Sequence, residues 1–156
     1  MTLRQRLWLC LPALLMYNLD VGLTLAGQDE VYWGGDYSSP DELNPPAHLL
    51  LSIHPLLFVA AAVLWEIVFC GLILWLPPRL AAPVALLIAI GHTYGACTWI
   101  VYWGELGYVL VVLHPLMAGW LIAFCWVRAG RLPFRTTASA IRRPAAIRSR
   151  MPESAG

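Results

Sequence analysis

Four apolar runs, at about residues 7–26, 49–76, 80–103 and 107–127, occupy most of this chain of 156 residues. Each is about as long as the hydrocarbon core of a bilayer is thick. Within hydrocarbon, only helices and closed barrels satisfy every backbone N–H and C=O. The runs are continuously apolar rather than alternating, which points to helices. The expected fold is therefore all-α: an integral membrane four-helix bundle in up-down-up-down order, spanning residues 1–128 with an outer loop at 27–48. Four spans of about 20 residues each leave no room for a soluble domain. Residues 129–156 read as a basic, proline-broken and disordered cytoplasmic tail.

Charge sets the orientation. All ten basic residues are arginines: Arg4 and Arg6 precede the first run, Arg79 lies between the second and third, and the rest begin at Arg128. Asp29, Glu30, Asp36, Asp41, Glu42 and Glu105 fall instead in the two alternate connections. This positive-inside pattern places both termini in the cytoplasm of a multi-pass plasma membrane protein, in bacteria the inner membrane. The arginine-rich tail suits anionic lipid rather than nucleic acid. Expected partners are thus membrane lipids, with a membrane-protein partner or a second copy of the chain. A cleaved signal peptide ending near Thr24-Leu25-Ala26 is the competing reading of the first run, but Asn18 and Asp20 interrupt its apolar core and favour a retained span. Cys10, Cys70, Cys97 and Cys125 lie within the runs without metal-ligand spacing, as buried free thiols would.

Turn chemistry supports the same order. Pro77-Pro78 ends the second helix, because proline cannot continue the hydrogen-bond ladder. Gly104-Glu105-Leu106-Gly107 reads as a tight turn between antiparallel neighbours. Gly91, Gly95, Ala96, Ala118 and Gly119 would let backbones approach closely. The loop at 27–48 is acidic, aromatic and rich in turn formers, so partial order is expected, with His48 facing solvent. His54-Pro55-Leu56-Leu57 and His114-Pro115-Leu116-Met117 form an echo that either a duplicated hairpin or coincidence would produce.

Few ionisable groups lie inside the runs: Asp20, His54, Glu66, His92 and His114. Each is costly in hydrocarbon and needs a partner or a function. Counted from the span ends, Asp20, His54 and His114 occupy the outer third, and Glu66 and His92 sit near the midplane. Tyr17, Asp20 and Thr24 share a helix face. They form either a structural hydrogen-bond clamp or a site where a carboxylate binds a cation or moves a proton. Glu66 with His92 makes either a structural pair or an acid–base pair. No cofactor is expected. The lesser alternatives are zinc held by Asp20, His54 and His114, and haem b, for which only His54 and His114 approach one level. Trp33, Trp75, Trp99, Trp103, Trp126 and Tyr102 sit near span ends, as an interfacial belt would.

The pattern Asn18-x-Asp20-x-x-x-Thr24, followed by Glu42-x-Asn44-Pro45, resembles a bacterial family of small multi-spanning membrane proteins of unknown function, over about residues 15–65. That resemblance implies a fold and a polar site that includes Glu42 and Asn44, but no activity. Asp20, Trp65-Glu66 and His92-Thr93 are similar in order and depth to the emopamil-binding-protein (EXPERA) superfamily. This second resemblance implies an intramembrane pocket in which Glu66 and His92 would transfer protons on a buried double bond. The chain is expected to be a non-enzymatic accessory, assembly or small-ligand-binding component whose polar site faces the outer compartment. The alternative is an isomerase-like enzyme acting on a lipid or isoprenoid through Glu66 and His92.

Overall fold

The computed structural model describes residues 1–130, which contain no strand. The arginine-rich tail and its expected disorder lie outside the described residues from residue 131 onwards. The elements are α1 (Leu3–Ala26), α2 (Glu30–Trp33), α3 (Pro45–Ile53), α4 (Pro55–Trp75), α5 (Pro78–Ile100) and α6 (Gly104–Arg128), with a 3-10 turn at Val101–Trp103. Three helical stretches are long and apolar enough to cross a membrane: Leu3–Ala26, Pro55–Trp75 and the 51-residue stretch Pro78–Arg128. The last of these is folded back on itself as α5 and α6.

Local chemistry explains where the helices stop. α1 opens with a capping box, in which Thr2 and Gln5 exchange side-chain-to-backbone hydrogen bonds of 2.9 and 3.3 Å. The second apolar run is not one helix, contrary to the expected span at 49–76. It breaks at His54, whose backbone is extended. Proline disfavours helical geometry at the residue before it, so Pro55 starts a new helix, and Leu49–Ile53 belong to α3. His114-Pro115 has the same dipeptide and stays inside a continuous α6. The two copies of the echo therefore have different structures. The turn between α5 and α6 lies at Val101–Gly104, earlier than expected. Gly104 has φ +65°, a conformation L side chains rarely adopt. Gly107 is already inside α6, where a methyl group would overlap the Ile100 carbonyl.

Helices α1 and α5 form the centre. They run parallel, with Met16 level with Ala89 and Leu23 level with Ala96. α4 and α6 run the opposite way on either flank, touching both central helices but not each other. Accordingly, 44% of the most apolar window of α1 is buried, against 17% for α4. Small residues permit the central contact: Ala13, Ala81, Ala85, Ala89 and Ala96 are almost fully buried. Gly91 and Gly119 have open space around them and play no such part. At the arginine-bearing end, the Arg6 guanidinium donates to the Ile73 and Leu76 carbonyls at 3.1 and 2.7 Å. It thereby caps the unsatisfied C-terminus of α4.

The loop after α1 is more ordered than its composition suggests. The Gln28 amide donates to the Thr24 and Asp41 carbonyls and accepts from the Asp41 N–H. Asp29 caps α2 by accepting from Tyr32 N–H at 2.7 Å. Tyr32 is buried, and its hydroxyl donates to the Leu51 carbonyl of α3. These clamps fold residues 28–51 over the ends of α1, α4 and α5 that lie opposite Arg6.

Candidate functional site

The site begins with about two turns of α1. Tyr17, Asp20 and Thr24 recur at helical spacing, and all three line a cavity of about 450 Å³ between α1, α4, α5 and the folded loop. Tyr17 ties three helices together. Its hydroxyl donates to the Ala62 carbonyl of α4 at 2.8 Å. Its ring meets His92 and Phe69 edge-on at 4.7 and 5.3 Å. Asp20 Oδ2 lies 2.8 Å from His92 Nδ1, with the two side chains 17% and 26% exposed. A carboxylate bonded to one ring nitrogen orients the imidazole and directs its other nitrogen elsewhere. Among the described residues, His92 Nε2 has no protein partner.

Gly95, one turn beyond His92, is what gives the carboxylate its room. A Cβ at that position would lie 2.6–2.8 Å from the Asp20 carboxyl atoms, inside van der Waals contact. The remaining wall comes from the loop and from aromatic side chains. Glu42 Oε1 accepts from the Asn44 N–H at 2.6 Å, and both residues line the cavity with Trp65, Phe58, Thr98 and Trp99. Thr98 Oγ1 is committed to the Gly95 carbonyl at 2.7 Å.

A second cavity of about 660 Å³ adjoins the first on its outer side. Glu42, Thr98 and Trp99 border both. Trp99 packs so closely on Gly27 that a methyl group there would overlap its ring. The outer cavity adds Asp41, His48, Tyr102 and Trp103. Together the two form a stepped recess whose inner floor is the Asp20–His92 pair.

Six of the residues singled out in the sequence thus meet in one place: Tyr17, Asp20, Thr24, Glu42, Asn44 and His92. Three others do not. Glu66 is not paired with His92: its Oε2 accepts from Asn18 Nδ2 at 3.3 Å on the outward side of α1 and α4. His54 is exposed at the start of α4, where its Nδ1 accepts from Leu56 N–H and its ring packs against Tyr37. Among the described residues no contact joins it to Asp20 or His114, the residues expected beside it. Among the described residues no three His, Cys, Asp or Glu side chains are grouped as metal ligands. His114 is buried on α6 with Nε2 unpartnered, and it does not line the cavity.

Thr98 escaped sequence reasoning, and Gly95, Trp65, Trp99 and His48 were read there in other roles than lining a cavity. His48 was expected in solvent but is half-buried beside the outer cavity. The available signal was Trp99, seven residues beyond His92, which returns to the same face of α5. No protein-family model matches the chain, and no curated protein or solved structure matches it either.

Proposed function

We propose that this chain is a four-span plasma membrane protein, of the bacterial inner membrane, with both termini in the cytoplasm and a recess that opens to the outer compartment and binds a small ligand at the Asp20–His92 pair. It acts as an accessory or ligand-binding component. One observation carries this reading: three separate segments deliver Tyr17, Asp20, Thr24, Glu42, Asn44 and His92 to a single cavity large enough for a small molecule. Orientation is supported by charge. Arg4, Arg6, Arg79 and Arg128 stand at the end opposite the recess, and the acidic loop stands over it.

The experiment is native mass spectrometry of the chain released from mild detergent, for wild type and Asp20→Asn. A co-purifying small molecule lost in the variant supports the reading. A ligand retained unchanged by Asp20→Asn and by His92→Gln refutes it. Cysteine labelling tests orientation: Ser38→Cys should react from outside and Arg79→Cys only from inside.

The free Nε2 of His92 favours a second reading, proton transfer to or from a bound substrate. In that case Asp20 replaces Glu66 as the partner that orients the imidazole. The two readings separate in Asp20→Asn. A binding protein would lose affinity. An enzyme would keep its substrate but lose roughly 10²–10⁴ in rate.

A further inference from the structure

The most anomalous feature outside the recess is the Asn18–Glu66 pair. Asn18 lies on the exposed face of α1 in line with Leu15, Leu19 and Gly22, all of them exposed. Glu66 is half-exposed near the middle of α4, nine residues or about 14 Å from its end at Trp75. A carboxyl and an amide at this depth meet hydrocarbon, where no water completes their hydrogen bonds.

The donor and acceptor count shows what is missing. Asn18 Nδ2 uses its two N–H groups on the Leu14 carbonyl at 2.9 Å and on Glu66 Oε2 at 3.3 Å. Asn18 Oδ1 has no partner among the described residues, and neither has the other oxygen of Glu66. A neutral carboxyl carries one O–H donor. With the Glu66 carboxyl in that form, one chain presents one unmatched acceptor and one unmatched donor, side by side.

We propose that this face is the contact between two copies of the chain, in which the Glu66 O–H of each copy donates to Asn18 Oδ1 of the other. A second copy is the occupant that fits, because copies inserted the same way carry this pair at the same depth. A two-fold axis along the membrane normal then turns one leftover donor and one leftover acceptor into two reciprocal bonds. The surface also allows close approach. Gly22, one turn from Asn18, has nothing within 4 Å of a built Cβ, so a partner backbone can seat against it. The interface makes no use of the recess, which faces the other side of α1, and does not depend on any ligand there.

The test is disulfide crosslinking in native membranes, using full-length protein with its own cysteines replaced by alanine. Leu15→Cys and Leu19→Cys on α1 should crosslink between copies, and Leu113→Cys on the exposed side of α6 should not. Asn18→Leu or Glu66→Leu should reduce the yield at least about fivefold. Glu66→Gln supplies an N–H donor in place of the O–H and should retain most of it. Circular dichroism and size exclusion of each variant establish folding, and a variant that fails either is replaced by Gly22→Leu, which blocks the approach without touching the polar pair. Equal crosslinking at Leu113, or full crosslinking in both Asn18→Leu and Glu66→Leu, would overturn the proposal. Loss in Glu66→Gln as complete as in Glu66→Leu would also overturn it, because the donor would then be irrelevant.

Discussion

Gly95→Ala isolates the packing that holds the Asp20–His92 pair. A Cβ at this position would meet Asp20 Oδ2, Oδ1 and Cγ at 2.6, 2.7 and 2.8 Å. Real Cβ atoms essentially never approach so closely, so the carboxylate has to shift, and the expected result is loss of its bond to His92. Losing a hydrogen bond to a charged group costs about 1.5–3 kcal/mol. Alanine in place of glycine returns up to about 1 kcal/mol of helix propensity. The net expectation is a loss of about 0.5–3 kcal/mol. Gly91→Ala, one turn earlier on α5, meets open space and should stabilise slightly, giving an internal control of opposite sign. Denaturation by SDS in mixed micelles would measure both. In an Asp20→Ala background the obstruction is gone, so Gly95→Ala should become neutral or stabilising, and the coupling between the two sites should appear in the double-mutant cycle. If Gly95→Ala stabilises the wild type as Gly91→Ala does, or if its penalty survives unchanged in Asp20→Ala, the assigned contact is wrong.

Three further outcomes are expected. Arg6→Met removes both bonds to the Ile73 and Leu76 carbonyls and should cost about 1.5–3 kcal/mol; hydrogen exchange should accelerate in the last turn of α4, and unchanged protection there would refute the latch. Gln28→Ala releases the Asp41 backbone and should speed proteolysis between residues 34 and 43 of the loop by several-fold without altering the helical signal. Burial and the neighbouring Tyr37 hold the Tyr32 hydroxyl above its ordinary pKa of 10.0. A pKa raised on folding contributes stability below the unfolded value and loses it as pH rises through the folded one. The loop should therefore loosen above about pH 10, as followed by tryptophan fluorescence, and Tyr32→Phe should remove that step.

The sequence alone determined that the chain is helical and apolar, and that its arginines and acids are segregated. These properties depend only on the length and composition of local runs and on where proline and glycine interrupt them. The Tyr17, Asp20 and Thr24 stripe was also legible, because 3.6 residues per turn puts those positions on one face whatever they meet. Depth could be counted approximately, but direction around the helix axis could not. Asp20 was expected at the level of His54 and His114, and Glu66 at that of His92. Two details of the fold moved these groups. Pro55 broke the second run and left His54 at an exposed helix start. α5 ends at Ile100 rather than Trp103, which raises His92 by about a turn toward Asp20.

Only the tertiary structure decided that Asp20 faces α5 while Glu66 faces outward beside Asn18. Helix rotation is set by how side chains on two surfaces interlock, and in this chain the deciding residues are small. A carboxylate can turn toward His92 only because Gly95 carries no side chain. An absent atom of that kind leaves no mark in apolar sequence until the neighbouring helix is laid against it.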